Sequence, residues 1–270
     1  MKKILLASPL FILRRECEKD LFGVLSDLQA LGFDGVEMLG FFGRKPEEIA
    51  RHLRGENFIA MGNHVPYAEF EADFQKVAGD HEALGVKYIT VSLDRAHLPC
   101  GENYPETVDK LNEWAHALNS RGISLLFHNH AGEFYPANDD QNALEKLLSD
   151  VEPMKLEPDL GWMGIAGEEP AKYLKRYADR SPVLHFKDFY AIPGMPVGEE
   201  GVANPGLSRF AFRPTGYGVM RYPVLIGPAL DCKPEWIVAD HDDAYDNDIY
   251  HELFLSMNYI QELLAMVSKH

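Results

Sequence analysis

The stretch RGISLLFHNHAGEF, residues 121–134, carries one repeat of the fold. Gly122 follows a helical pattern over Tyr104–Asn119 and supplies the left-handed turn that ends a helix. Ser124–His128 is then a short apolar run of the length and composition of a buried strand. It stops abruptly in His128, Asn129, His130 and Glu133. The same unit recurs on both sides. Strands are predicted over Lys3–Ala7, Gly35–Leu39, Ile59–His64, Tyr88–Leu93, Ser124–His128, Lys155–Asp159, Val183–Phe186 and Trp236–Asp240. Amphipathic helices fall between and after them, over Glu18–Leu31, Phe70–Leu84, Tyr104–Asn119, Asn142–Ser149, Pro170–Tyr177 and Ile249–Val267. In the first of these, Leu21, Leu25, Leu28 and Leu31 are three or four apart and share one helical face. Gly32 and Gly85 repeat the cap of Gly122.

Strand–helix alternation implies parallel strands joined by crossover helices, hence a barrel or a doubly wound sheet. No GxGxxG follows the first strand and no GxxxxGK[ST] occurs, so the nucleotide-binding doubly wound folds lack their marker. Eight strands favour the barrel. The expected architecture is α/β, a (β/α)8 TIM barrel, as a single domain over residues 1–270. One connection breaks the rhythm. From Tyr190 to about Glu235 the chain is rich in Gly and Pro yet carries aromatics and arginines (Arg209, Arg213 and Arg221), candidates for an anionic group. A loop of that length leaving the end of strand seven predicts a lid-like insertion over the mouth.

Composition narrows the function. The 270 residues are 46% apolar and 25% charged, a globular balance that excludes disordered and fibrous classes. Lys and Arg number 26 against 42 Asp and Glu, a formal net charge of −16, which repels phosphate backbones and anionic lipid. Neither nucleic acid nor membrane is an expected partner. The N-terminal MKKILLASPLFILRRECEKD imitates a leader peptide, but Arg14 and Arg15 interrupt it, and ILLAS reads as a first strand. Cys17, Cys100 and Cys232 are scattered without CxxC spacing, which suits a reducing cytoplasm.

The strand ends carry the chemistry. Strand two contributes Glu37 and strand three Asn63 and His64. Strand five gives His128 and His130, strand six Glu157 and Asp159, strand seven His185, Lys187 and Asp188, and strand eight Asp240 to Asp243. Each alone has a plain structural reading: a strand-end His is usually scaffold, and DHDDAYDND reads as a solvated acidic loop capping the last helix. So many ionisable residues at one barrel mouth, however, would be costly unless neutralised, and a divalent cation neutralises them directly. Side-chain alternation puts His128 with His130, Glu157 with Asp159, and His185 with Lys187 on common faces. One imidazole or carboxylate from each of strands five to eight makes a mixed N/O site suited to Mn, Zn, Co, Fe or Mg. Such an ion acidifies the C–H beside a carbonyl for a nearby carboxylate to deprotonate.

GFDGVEM (32–38), GISLLFHNHAGEF (122–134), LEPDLGWMGIAG (156–167), VLHFKDF (183–189), GYGVMRYPVL (216–225) and WIVADHDD (236–243) together resemble the sugar phosphate isomerase/epimerase superfamily, the xylose-isomerase-like barrels. The resemblance runs the length of the chain and implies one divalent ion held by Asp159, His185 and Asp240, with His128 standing where the family has a strand-five Glu. That His cannot be an anionic base, and Asp240 is a methylene shorter than the family's Glu, so the two-carboxylate epimerase arrangement is altered. The resemblance leaves Asp240, Glu157, His130 and Lys187 as the acid–base set. It implies Glu37 and His64 as ligands for substrate hydroxyls and Trp162 as a platform for a sugar face. The function it implies is a metal-dependent isomerase or epimerase of a ketose or related polyol, working through an enediolate. The alternatives are an inosose-dehydratase-like lyase on a keto-cyclitol or keto-sugar and a non-catalytic sugar-binding barrel. A small-molecule partner and a homo-oligomer fit this frame. A zinc endonuclease of similar frame would carry a basic DNA-binding face, which a net charge of −16 opposes.

Overall fold

A computed structural model describes residues 3–191, 210–245 and 248–267. Its elements run β1 (Leu5–Pro9), α1 (Arg14–Leu31), β2 (Gly35–Leu39), α2 (Pro46–Glu56), β3 (Ile59–Pro66), α3 (Tyr67–Leu84), β4 (Tyr88–Ser92), α4 (Tyr104–Ser120), β5 (Ser124–His128), α5 (Ala143–Asp150), β6 (Lys155–Glu157), α6 (Leu160–Ile165) and α7 (Pro170–Arg176). They continue with β7 (Val183–Ala191), β8 (Phe210–Arg213), α8 (Tyr222–Asp231), β9 (Trp236–Asp240) and α9 (Ile249–Val267). Among the described residues the strand order is β6-β5-β4-β3-β2-β1-β9-β7-β8, parallel throughout except that β8 runs antiparallel to β7. The eight parallel strands are those of a TIM barrel, with β9 as the eighth.

The ladder joins β1 to β9 but leaves β6 and β7 linked by a single bridge, Asp159 to His185. Pro158 has no N–H to offer a neighbour, and the Asp159 N–H goes instead to Asn129 Oδ1 at 3.0 Å. The seam is held by the His185 N–H donating to the Pro158 carbonyl at 3.0 Å.

Two apolar layers follow from the strand alternation. Outward-facing side chains such as Val36, Ile89, Leu125 and Ile237 pack against the helices in the main core. Inward-facing Ala7, Met61, Tyr88, Leu126, Val183, Trp236 and Val238 plug the lower barrel. Gly35 makes room for this plug, since a Cβ there would lie 2.3 Å from the Ile59 carbonyl oxygen and 2.9 Å from the Trp236 ring. The mouth above therefore has a floor.

Three regions depart from the sequence reading: strand six stops at Glu157 rather than Asp159, which caps the unexpected six-residue helix α6, and two others are larger. Helix α2 was not expected, because its 11 residues are dominated by charge and bury only Ile49, Ala50 and Leu53. The expected lid is also partly regular structure. Residues 210–213 extend β7 as a hairpin partner, and α8 is the ordinary helix that follows barrel strand seven, burying Tyr222, Leu225, Ile226 and Ala229. The rest of the expected lid, 192–209 with Arg209, lies outside the described residues. Arg213 stacks 3.6 Å over the Tyr245 ring.

Asp188 organises this return. It is fully buried and accepts hydrogen bonds from the amides of Phe189, Gly216, Gly218 and Met220 at 2.8–3.0 Å. Asp188→Ala should leave those donors unsatisfied and cost about 3 kcal/mol, read as a lower urea midpoint with faster amide exchange over 216–220. An unchanged midpoint would show that water replaces the carboxylate. Among the described residues no helix is long and apolar enough to cross a membrane.

Candidate active site

The parallel strands bring their C-terminal ends to one mouth. Glu37 arrives on β2, His64 on β3, Thr90 on β4, His128 on β5, Glu157 on β6, His185 and Lys187 on β7, and Asp240 on β9. Asp159 lies just past β6 as the N-cap of α6, its Oδ1 accepting from the Trp162 N–H at 2.8 Å. Gly161 lets that turn press against β7, because a Cβ there would sit 2.5 Å from the Lys187 carbonyl oxygen.

Two charged groups share the His128–His185 pair. On one side His64 Nε2 is 3.2 Å from Glu37 Oε2 and 3.4 Å from Glu157 Oε2. His185 Nε2 is 3.1 Å from Glu37 Oε2 and 3.5 Å from Glu157 Oε1. Thr90 donates to Glu157 Oε2 at 2.9 Å. On the other side His185 Nδ1 meets Asp240 Oδ2 at 2.8 Å, and Lys187 Nζ lies 2.9 Å from Asp159 Oδ2, 3.0 Å from Asp240 Oδ2 and 2.9 Å from Asp242 Oδ1. His128 bridges the two, with Nδ1 3.8 Å from Glu157 Oε2 and Nε2 3.6 Å from Asp159 Oδ2.

Burial and charge pull against each other here. Burial opposes ionisation of Glu37, but the charges of His64 and His185 overcome it and hold the carboxyl far below its usual range. Burial likewise opposes protonation of His64, yet Glu37 and Glu157 raise it to about 10. His185 moves up for the same reasons, with Asp240 adding to Glu37 and Glu157. His128 goes the other way: burial first, then the neighbouring His185, His130 and His64, keep it neutral. Burial raises Asp159, while Lys187 and His185 overcome burial to keep Asp240 ionised.

The structure brings together eight of the residues expected at the mouth: Glu37, His64, His128, Glu157, Asp159, His185, Lys187 and Asp240. His130 stands at the rim, its side chain 49% exposed, its ring 5.1 Å from His128 and 5.6 Å from Trp162. Trp162 is buried, walled by Phe210 and Phe212, with Lys187 Nζ 5.1 Å from its ring. Other strand-end polar residues turn away from the mouth. Asn63 binds the Gly40 amide and His81, Asp188 serves the hairpin, and His241 pairs with Glu252 at 2.9 Å. Thr90 carries no sequence signal, because a Thr in YITVS is ordinary strand composition. Phe210 and Phe212 were hidden inside the expected lid.

Ligand atoms of His128, Asp159, His185 and Asp240 lie within 4.8 Å of one another, and so do those of His64, His128, Glu157 and His185. Glu37 Oε1, His64 Nε2, His128 Nδ1, Glu157 Oε1 and His185 Nε2 are buried without an aligned hydrogen bond. Buried polar atoms are seldom left so. Converging imidazole nitrogens and carboxylate oxygens of this kind fit a divalent cation.

Known proteins share both frame and sequence. An inosose dehydratase from Lacticaseibacillus casei is 26% identical over 188 aligned positions, covering 61% of this chain and 62% of that protein. The chain thus spans about three fifths of the length of the curated relatives it matches. The solved structure of a sugar phosphate isomerase/epimerase from Parabacteroides distasonis ATCC 8503 superposes with a TM-score of 0.72 at 16% identity, over 96% of this chain and 94% of that one. The IOLI protein, solved with a bound zinc atom, gives 0.73 at 12% identity over 97% and 99%. The family model of the xylose isomerase-like TIM barrel matches residues 25–244. With that match spanning most of the barrel, the chain belongs to the xylose isomerase-like TIM barrel family.

Proposed function

We propose that this protein is a divalent-metal-dependent enzyme that removes a proton beside the carbonyl of a ketose or related polyol, giving an enediolate that is reprotonated as an isomer or epimer. The observation that carries this reading is the set of buried nitrogens and oxygens that converge at the mouth without aligned hydrogen bonds. One ion, of Mn, Zn, Co, Fe or Mg, held by His128, Asp159, His185 and Asp240, would supply the Lewis acidity that acidifies the C–H. The IOLI protein, which shares this fold, is solved with a bound zinc atom, which supports a divalent ion here.

The chain's own residues take the remaining roles. Glu157, buried with Oε1 free of any aligned hydrogen bond, is the base on one face of the substrate, and Asp240 is a second carboxylate within the same cluster. Lys187 and the rim residue His130 are the proton donors. Glu37 and His64 bind substrate hydroxyls, and Trp162 forms the wall against a sugar face. Because strand five offers an imidazole, there is no anionic base opposite Asp240 at that position.

A second reading is elimination of water from a keto-cyclitol or keto-sugar. It is supported by the inosose dehydratase relatives and by His130, whose half-exposed ring suits a donor to a departing hydroxyl. Both reactions begin with the same deprotonation. The three cysteines are unpaired, which supports a reducing compartment, and residues 1–270 read as one domain.

The test is incubation with ketoses and inososes in D2O, alongside elemental analysis of the wild type, Asp159→Ala and His185→Ala. About one equivalent of metal is expected, with affinity lowered at least tenfold in both variants. Deuterium at carbon without loss of water means isomerase or epimerase; a new enone absorbance means lyase. A wild type that takes up no added metal and exchanges no proton would leave a binding barrel.

A further inference from the structure

The four side chains carried over from the family do not form the emptiest cation cradle in this mouth. Two of them are already engaged by a cation of the protein's own. Lys187 Nζ sits 2.9 Å from Asp159 Oδ2 and 3.0 Å from Asp240 Oδ2, is only 1% exposed, and is tied to Asp242 as well. On the opposite side of the His128–His185 pair no Lys or Arg is paired with Glu37 or Glu157 among the described residues; the cations there are His64 and His185 themselves, whose Nε2 protons a bound divalent ion displaces into solvent. Most of the mouth's buried atoms without an aligned hydrogen bond gather there: His64 Nε2, His128 Nδ1, Glu157 Oε1 and His185 Nε2, with Glu37 Oε1 beside them, whereas Asp159 Oδ2 on the other side faces Lys187 Nζ at 2.9 Å.

We propose that His64, His128, Glu157 and His185 form a second, nitrogen-rich cation site, and that a borderline-soft divalent ion such as Zn2+ or Co2+ enters it while Lys187 stays clamped to Asp159 and Asp240. The site rests on the reading that this mouth holds a divalent ion, and it changes which residues hold it. The geometry is compatible: ligand atoms of the four lie within 4.8 Å of one another, and all but His64 are at least nine-tenths buried. The imidazoles present opposite edges to the two sites. His128 turns Nδ1 toward Glu157 and Nε2 toward Asp159, while His185 turns Nε2 toward Glu157 and Nδ1 toward Asp240. Thr90 holds Glu157 Oε2 from behind at 2.9 Å, as an outer partner orients a ligating carboxylate. Three imidazoles and one carboxylate select Zn2+ or Co2+ over Mg2+, Mn2+ and Ca2+, which prefer oxygen.

The unusual strand-five residue then has a chemical reason. A Glu at position 128 would offer only oxygens to either side, whereas a His offers one nitrogen to each. A hard ion such as Mn2+ would instead require Lys187 to leave Asp159 and Asp240, so the lysine acts as an internal competitor for the carboxylate-flanked site.

The experiment is titration of the metal-free full chain with Co2+, followed by visible absorption, with X-ray absorption counting the imidazoles around bound Zn2+ in the wild type. Three imidazoles are expected. His64→Gln and Glu157→Gln should each weaken Co2+ binding at least a hundredfold, while Asp240→Asn, which removes only the outer hydrogen bond on His185 Nδ1, should weaken it about tenfold. Two imidazoles in the wild type, with binding lost in Asp240→Asn and kept in His64→Gln, would overturn this site and leave the metal-enzyme reading intact. No Co2+ or Zn2+ uptake by the wild type would overturn this site, and no uptake of Mn2+, Fe2+ or Mg2+ either would overturn the metal-enzyme reading with it. The wild-type imidazole count stands even if a variant fails to fold.

Discussion

Replacing Lys187 with Met is expected to lower the folding stability of the metal-free protein by about 3–5 kcal/mol, the usual loss when one partner of a buried ion cluster is removed. Lys187 is 1% exposed, and its ammonium faces Asp159, Asp240 and Asp242 at 2.9–3.0 Å. Burial alone would favour the neutral amine, but these three carboxylates raise the lysine well above its ordinary value. Methionine keeps much of the stem and removes the ammonium, both from its carboxylates and from the Trp162 and Phe212 rings 5.1 and 5.5 Å from its nitrogen. Urea midpoints in EDTA measure the loss. The deficit should shrink on mild acidification, as the abandoned carboxylates take up protons, and again with added Mn2+, which replaces the missing cation. A loss below about 1 kcal/mol would show that water, not the ammonium, neutralises the cluster.

The second large effect is in pH. His64 holds its proton up to about 10 because Glu37 and Glu157 outweigh its burial, and His185 is raised in the same way. An unfolded histidine releases its proton near 6.5. Below that value both states are protonated and the stabilisation is complete. Between about 6.5 and 10 only the folded state keeps the proton, so stability falls as pH rises. For His64, with its edge in solvent, the loss should be of order 2–4 kcal/mol across that window. Two groups oppose acidification. His128 is held neutral in the fold, so below about 6.5 the unfolded chain gains a proton that the folded chain refuses. Glu37 is depressed, so its contribution is present above about 4.3 and fades as pH drops through the carboxylate range. Metal-free protein should therefore be most stable near pH 5.5–6.5. Urea midpoints that stay flat from pH 6.5 to 10 would mean that His64 and His185 are neutral in the folded chain.

The sequence made the parallel scaffold legible because its strands are continuous apolar runs closed by glycine caps. Gly35–Leu39, Ser124–His128 and Trp236–Asp240 match the observed strands residue for residue. Helix α2 escaped because a short helix with a three-residue apolar stripe gives little periodic signal. Strand β8 escaped because its pairing with β7 is long-range and lies beyond a Gly/Pro-rich passage. Period-two alternation brought Glu157 with Asp159 and His185 with Lys187 to the mouth. The same alternation turns His241, which follows Asp240 at the end of β9, the other way, to Glu252. Lys187 was visible as a residue but not as a clamp. Its partners Asp159, Asp240 and Asp242 come from two distant segments, and only closure of the barrel sets them around one nitrogen.

That closure is uneven. Seven neighbouring strand pairs of the barrel are joined by ladders, while β6 meets β7 through one bridge beside Pro158. A hoop with one weak joint breathes there first, so amide exchange around Asp159 and His185 should report opening of the wall before the rest of the barrel. Asp159 lies on one side of that joint and His185 on the other. Any ligand that grips both staples the hoop shut, and by linkage each increment of its binding free energy is taken from the opening motion. Occupancy of the mouth and rigidity of the wall are then a single equilibrium.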